Sequence, residues 1–209
     1  MIDSVRDAEA ARVFPHMLSV LLDVLRNGEP SLKKDSLEYQ FRRVLVEIIH
    51  RLPPTEAMRP HTNNLMGTML QVIRHDSEEN AVTCIKTIID IMRTLKALTE
   101  EHVREFLRIF QELLGNVPAL IAEFLSESSS QIDPNVVFPG IRSFKVLSEA
   151  PIAVVMFTQV FKQFTQPLFP EIWQQAVDVC NFPVFMNVSS SFSGGYSRST
   201  CSEESKRRF

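Results

Sequence analysis

Glycine is scarce in this 209-residue chain, which contains 6 glycines. Sheets and barrels rely on many tight turns, so the low glycine content favours helices. The glycine-dependent phosphate-binding motifs GxxxxGK[ST] and GxGxxG are missing from the sequence. The motifs HExxH, GxSxG, HRD and DFG are missing as well. The sequence therefore predicts no catalytic residue, no cofactor site and no enzyme activity.

Cysteine is also sparse, and no CxxC pair occurs. Cys84 and Cys180 lie in apolar stretches of the sequence, and Cys201 lies in a polar stretch. An odd, small number of cysteines indicates reduced intracellular thiols and not a disulfide framework. His50, His61 and Cys84 are the metal-ligand candidates, but zinc sites usually place two ligands within a few residues of each other. No metal site is predicted.

Long hydrophobic runs and an excess of positive charge are missing too. The apolar stretch around residues 152–157 is far shorter than the roughly 20 residues of a membrane helix. The charged start of the chain lacks the apolar core of a secretory signal. A net charge of −3 gives no electrostatic support for general nucleic-acid binding. We expect a soluble intracellular protein with no membrane partner and no sequence-specific nucleic-acid partner.

What the sequence does contain is helical periodicity, with apolar residues recurring at three- and four-residue spacing. The helix predicted for residues 36–51 has an apolar stripe of Leu37, Phe41, Val44, Leu45, Ile48 and Ile49. The stripe of a later helix consists of Ala81, Ile85, Ile88, Ile89 and Met92. Other helices are predicted at residues 7–26, from about 60 to 74, from 99 to about 115, at 143–164 with a break at Pro151, and at 167–179. Pro118 is expected either to kink the helix that starts at 99 or to begin a further turn through Phe124.

Helix ends are predicted from capping signals. Asp35 and Asp76 are each followed three residues later by a glutamate, the spacing of a capping box. Thr99 is a further predicted N-cap. Gly28 follows the first helix and suits a left-handed stop.

Corresponding helices recur at a regular interval. Phe41 and Ile85 are 44 residues apart, and Met66 and Phe106 are 40 residues apart. This is the period of HEAT-type helical pairs. We therefore predict an all-α fold, a HEAT-like α-solenoid of stacked antiparallel helix pairs with a disordered C-terminal tail. Residues 1–125 are assigned to HEAT-like repeats, 126–142 to a polar loop, 143–180 to a further helical repeat and 181–209 to the Ser-rich disordered tail.

Several residue groups have competing interpretations. The pairs Glu78–Glu79 and Glu100–Glu101 open helices, where they complement the dipole. Residues 206–208 are a basic cluster, interpreted as a solvated end or alternatively as a nuclear-import signal. Met66 and Met69 are predicted to be core filler. Four phenylalanines form a stripe that we interpret first as core and second as a partner groove: Phe157, Phe161, Phe164 and Phe169.

Three blocks of sequence resemble a known family. The first is IHRLP at residues 49–53 followed by RPH at 59–61. The second is SEEN at 77–80 followed by CIK at 84–86, and the third is SFKVLSEAPI at 143–152. In this order and spacing the blocks resemble the N-terminal part of the TRRAP family, scaffolds of the phosphatidylinositol-3-kinase-like group. The resemblance extends over residues 13–179.

The resemblance implies a very long protein built of HEAT-type repeats and ending in a kinase-like domain without catalytic residues. It implies a nuclear subunit shared by histone acetyltransferase complexes of the SAGA and NuA4/TIP60 types, with transcriptional activators and complex subunits as partners and no cofactor. The Ser-rich text after Asn181 departs from the family, as expected of a truncated gene model, a splice form or intron read-through. The residues alone also allow a stand-alone cytoplasmic helical-repeat adaptor for transport or trafficking.

Overall fold

The computed structural model describes residues 2–127 and 135–181. Its helices are α1 (Ile2–Asn27), α2 (Leu37–Arg51), α3 (Thr62–His75), α4 (Glu78–Leu95), α5 (Glu100–Glu127), α6 (Phe144–Val160), α7 (Lys162–Thr165) and α8 (Phe169–Cys180), with 3₁₀ turns at Glu56–His61 and Gly140–Arg142. The described residues contain no strand beyond two isolated bridges. The prediction of an all-α protein is confirmed.

The helices pack in two rows. α1, α3 and α5 contact one another in succession, and α2, α4 and α6 do the same in the second row. Contacts between α1 and α2, α3 and α4, and α5 and α6 join the two rows. α8 packs against α5. α4 therefore has neighbours on three sides, and the core is continuous through it.

The core follows from the apolar stripes of the central helices. Ala81, Ile85 and Ile88 of α4 are fully buried, as predicted. Met66 and Met69 are likewise buried, which confirms their interpretation as core residues. Burial of apolar side chains on this scale supplies most of the stabilisation of a helical domain.

The stripe predicted for α2 is wrong. Leu37, Phe41, Val44 and Ile48 are exposed, although Leu45 and Ile49 are buried. The face that packs inward also carries Tyr39, Arg42 and Val46. Its polar groups find partners on other helices, so tertiary contacts choose this face over the more apolar one.

The two aspartates predicted as N-caps, Asp35 and Asp76, are each one position too early. The N-caps are Ser36 for α2 and Ser77 for α4. Each hydroxyl accepts a hydrogen bond from the backbone N–H three residues on, at 3.1 and 3.4 Å. Asp76 is recruited into a buried ion pair instead, which leaves the cap to the neighbouring serine.

The left-handed stop is also placed elsewhere. α1 ends at Asn27, one residue beyond the predicted end, but no described glycine has a positive φ. The left-handed residue is Lys96, with φ 47°, directly after α4. At the start of α5 the Thr99 hydroxyl accepts from the N–H of His102 at 3.5 Å, as expected of an N-cap.

Two helices run through interior prolines, Pro118 in α5 and Pro151 in α6, where the sequence predicted an earlier helix end and a break. α5 continues past Pro118 to Glu127 instead of ending near residue 115. α6 passes Pro151, and the interruption falls at Phe161. An interior proline costs about 3 kcal/mol or more. Burial of side chains on both sides of each proline offsets that cost: Val117, Leu120 and Ile121 in α5, and Ala150, Ala153 and Val154 in α6.

Parts of two predictions lie outside the described residues. They are most of the polar loop, at 128–134, and the Ser-rich tail, at 182–209. The domain boundaries therefore stay predictions. Within the described part of the chain, no helix is long and apolar enough to cross a membrane.

Candidate functional site: a buried polar junction

A buried ion pair connects three of the first four helices. Arg42 Nε of α2 lies 2.6 Å from Asp76 Oδ2, and both side chains are buried. The same guanidinium donates through Nη1 to the carbonyl oxygens of Leu25, at 2.9 Å, and Gly28, at 2.8 Å. Carbonyls at a helix C-terminus lack intrahelical partners and attract cations. Arg42 thus links the end of α1 to the turn between α3 and α4.

The Asp76 carboxylate is satisfied on its other side as well. Its Oδ1 accepts from the backbone N–H of Ser77 at 2.7 Å and from Asn80 Nδ2 at 2.9 Å. A buried charge is tolerated when it is paired and its remaining lone pairs are hydrogen-bonded. The Arg42–Asp76 pair therefore fixes how α1, α2 and α4 meet.

The segment 135–140 crosses over the same junction. The N–H of Val137 donates to the carbonyl of Leu32 at 3.0 Å. The N–H of Glu78 donates to the carbonyl of Phe138 at 3.0 Å. Backbone groups distant in sequence thereby satisfy one another, and the segment holds two inter-helix turns together.

Gly140 makes the closest approach in this segment. Its N–H donates to the backbone carbonyl of Asp76 at 2.8 Å. A Cβ at this position would lie 2.1 Å from the carbonyl oxygen of Ile73 and 2.6 Å from the Cβ of Ala81. The site therefore requires glycine because of backbone proximity, while its own φ is not positive.

The predicted glutamate pair at the start of α4 has tertiary partners as well as a favourable position on the helix dipole. Glu78 accepts from Ser143 Oγ at 2.7 Å and pairs with Lys145 at the start of α6. Glu79 accepts from the Tyr39 hydroxyl at 3.0 Å. Burial and this carboxylate raise the pKa of Tyr39 to about 12. The pair therefore connects α4 to both neighbouring helices of its row.

The histidine and cysteine candidates lie apart from any ligand cluster. His50 Nδ1 lies 3.0 Å from Thr87 Oγ1. Cys84 is fully buried, and burial raises the pKa of its thiol. In residues 2–127 and 135–181, no group of three His, Cys, Asp or Glu side chains has a geometry suited to a metal ion.

The phenylalanine stripe divides between core and surface. Phe157 is buried and packs edge-to-face on Phe106, with ring centroids 5.1 Å apart. Phe169 is exposed and stacks on Trp173 at 6.2 Å. It lines an open groove of about 590 Å³ with Thr158, Gln159, Lys162, Thr165, Gln166 and Pro170. The first interpretation, core, is confirmed for Phe157, whereas Phe169 lies outside the core and its role in a partner groove stays a prediction.

The polar residues of the junction connect secondary-structure elements, because their hydrogen bonds run from one helix or turn to another. The class of protein is an all-helical two-row protein with a continuous apolar core, in which a buried arginine bonds to the carbonyls at the end of the first helix.

Comparison with known proteins identifies sequence relatives of this chain. The chain is 27% identical over 180 residues to Transcription-associated protein 1 of Drosophila melanogaster, covering 69% of this chain and 5% of that protein. It is 26% identical over 178 residues to the Transformation/transcription domain-associated protein of Homo sapiens, covering 70% of this chain and 5% of that protein. It is 23% identical over 211 residues to the SAGA complex/NuA4 acetyltransferase complex subunit TRA1 of Saccharomyces cerevisiae, covering 80% and 6%.

The chain is thus a homologue of the TRRAP family, and the resemblance seen in its sequence is confirmed. It spans about one-twentieth of the length of these relatives. No protein-family profile matches the chain.

Proposed function

We propose that this chain is a non-catalytic scaffold segment of a transcription coactivator subunit, acting in the nucleus in histone acetyltransferase complexes of the SAGA and NuA4/TIP60 types. The observation that carries the proposal is the homology to proteins named for transcription, one of which is named as a subunit of the SAGA and NuA4 complexes. Its partners are transcriptional activators and other complex subunits.

The architecture that serves this role is a HEAT-like α-solenoid of stacked antiparallel helix pairs. The two rows of successive contacts and the contacts within each helix pair support it, as does the 40-residue spacing between Met66 of α3 and Phe106 of α5, which are both buried. Residues 1–125 and 143–180 form the repeats of this proposed solenoid. The segment 135–140, which precedes the second group of repeats, is hydrogen-bonded to the first repeats at the junction around Asp76.

A stack of helical pairs binds proteins through its extended surface. Fold alone does not establish function. The non-catalytic role is supported by the structural use of buried polar residues. Arg42 and Asp76 are hydrogen-bonded to backbone groups and to each other. The scaffold role therefore rests on surfaces and not on a reactive group.

Affinity purification of the tagged chain from nuclear extract, followed by mass spectrometry, tests this proposal. The matched control is the same chain with Ile88→Asp, which places a charge in the centre of the core and removes the folded surface. Acetyltransferase-complex subunits should be enriched with the native chain and lost with the variant.

Two results would overturn the proposal. Equal recovery of those subunits with both chains would show that binding does not need the fold. Recovery of none of them, with cytoplasmic transport components in their place, would favour the trafficking adaptor.

A further inference from the structure

A cavity of about 570 Å³ opens beside the buried ion pair, and we call it the junction cavity. Its walls come from α1, α2 and α3 and from the turn after α1, so it lies between neighbouring helices and not on an outer face of the stack. Cavities that bind small molecules usually measure about 300–1,000 Å³. The polar side chains that line it are Arg26, Arg42, Thr68, Gln71, His75 and Asp76.

One donor nitrogen of the buried arginine is unused. Arg42 donates through Nε to Asp76 and through Nη1 to the carbonyls of Leu25 and Gly28, whereas Nη2 has no hydrogen-bond partner among the described residues. The side chain is 7% exposed. Within residues 2–127 and 135–181, the fully enclosed side-chain atom that lacks a partner is Gln175 Oε1. Nη2 of Arg42 therefore keeps some accessible surface, and the cavity that Arg42 lines provides it.

The charge around the junction cavity favours an anion. Two arginines line it against one aspartate. Both oxygens of Asp76 are occupied, Oδ2 by Arg42 and Oδ1 by the N–H of Ser77 and by Asn80. The carbonyls at the end of α1, which would repel an anion, already accept from Arg42 Nη1. The charge of Arg26 is left over, and the free N–H groups of Arg42 point to an acceptor.

The remaining donors stand on α1 and α3. Arg26 is held at the rim of the cavity, because its Nη2 donates to Asn64 and, at 3.1 Å, to Thr68 Oγ1. Gln71 and His75 follow Thr68 by three and seven residues, which places them on the same side of α3. Both are exposed. Donors from three helices thus surround one space.

We propose that the junction cavity binds a phosphate group, with Arg42 Nη2 and Arg26 as its charged donors and Gln71 and His75 as further polar donors. A phosphate has three or more acceptor oxygens in a tetrahedral arrangement and carries up to two charges, so it suits donors that approach from several directions. A planar carboxylate has two oxygens and would use fewer of them. The cavity is large enough to hold part of the molecule that carries the phosphate.

Binding would also act on the junction. Arg42 would then have acceptors at all three nitrogens, while still connecting the end of α1 to Asp76. A ligand that binds only where these helices meet stabilises the folded chain. We therefore expect phosphate to raise the melting temperature.

The test is isothermal titration calorimetry of the purified chain with inorganic phosphate, at an ionic strength held constant with sodium chloride. The native chain should bind one phosphate with a Kd of about 5 mM or tighter. Arg26→Gln should weaken binding on the order of 10-fold, since it removes one charged donor. Arg51→Gln is the matched control, because both arginines are exposed and lie in the last turn of a helix.

Opposite charges at one position give a second test. Gln71→Glu should weaken phosphate binding and Gln71→Lys should tighten it, each by about 3- to 10-fold, because the new charge lines the cavity. Circular dichroism checks that each variant keeps its helix content.

A phosphoserine peptide without other charges distinguishes the two sources of phosphate. Tighter binding of the peptide than of inorganic phosphate would support the site and assign it to a phosphorylated protein segment. Equal or weaker binding of the peptide would support the site and assign it to a small phosphate ligand.

The absence of saturable binding by either probe up to about 20 mM would overturn the proposal. Equal losses with Arg26→Gln and Arg51→Gln would overturn it too, by indicating general attraction to surface charge. Changes of the same sign for the two Gln71 variants would place the phosphate outside the junction cavity. The titration uses the purified chain alone, so its failure is distinguishable from failure to capture acetyltransferase subunits.

Discussion

α2 and α4 carry similar apolar rows and use them in opposite ways. The row of α4 is buried, whereas Leu37, Phe41, Val44 and Ile48 of α2 are exposed. The difference lies in their neighbours, since α4 packs against α2, α3 and α6, and α2 packs against α1 and α4. An apolar row thus indicates a face that favours packing against another surface. It does not identify the partner.

The largest expected effect comes from a substitution in the buried apolar row of α4. Ile88→Asp places a carboxylate where the side chain is fully buried, and it should abolish cooperative folding, a loss of more than about 5 kcal/mol. Phe41→Asp on the exposed row of α2 should cost less than about 0.5 kcal/mol. Thermal unfolding followed by circular dichroism compares them, and equal losses would mean that the α2 row is also core.

The second prediction concerns the buried face of α2. Asp76→Asn keeps acceptor capacity but leaves Arg42 buried without its counter-ion, so it should lower the free energy of unfolding by about 3–5 kcal/mol. Glu47→Gln removes the partner of Arg51 in an exposed pair and should cost at most about 0.5 kcal/mol. Urea denaturation measures the free energy of unfolding of both variants. Similar losses for the two would show that the Arg42–Asp76 pair does not fix the position of α2.

The third prediction contrasts two glycines. Gly140→Ala forces a Cβ against the carbonyl of Ile73 and should cost about 1–3 kcal/mol. Gly115→Ala lies within α5 with nothing inside 4 Å of the new Cβ, so it should stabilise by about 0.5–1 kcal/mol. Opposite signs in urea denaturation are the expected result, and stabilisation by both would show that segment 135–140 is not seated on α3.

The smallest expected effect concerns the N-cap of α2. Ser36→Ala removes the hydroxyl that accepts from Tyr39 N and should cost about 1 kcal/mol. Asp35→Ala, at the position favoured by the sequence pattern, should change stability by less than about 0.5 kcal/mol. Melting temperatures of the two variants test the assignment, which a larger loss for Asp35→Ala would reverse.

Much of the fold could be predicted because helical periodicity and stop signals are local. The α4 stripe, the core methionines and the end of α1 at Asn27 follow from residues within one helix. The helix end expected near residue 115 and the break expected at Pro151 are both wrong for a non-local reason, because side chains buried on either side of Pro118 and of Pro151 hold each helix together. Local rules assign the cost of a proline but not the packing that offsets it.

The polar junction lay beyond sequence reasoning. Arg42 and Asp76 are 34 residues apart, and Gly140 reaches Asp76 across a much longer separation. The sequence does place an arginine among the apolar residues of α2, but the partner of that arginine could not be predicted from residue spacing. Such pairs are found only once the helices have been placed.

The sequence by itself determined that the chain is helical, which residues form the core of α3 to α5, and that its relatives are the TRRAP proteins. The tertiary structure decided which face of α2 turns inward, which serine caps each helix, and how segment 135–140 joins the turns. The reason is physical, since periodicity is set within a few residues whereas burial and ion pairing depend on which distant elements come into contact.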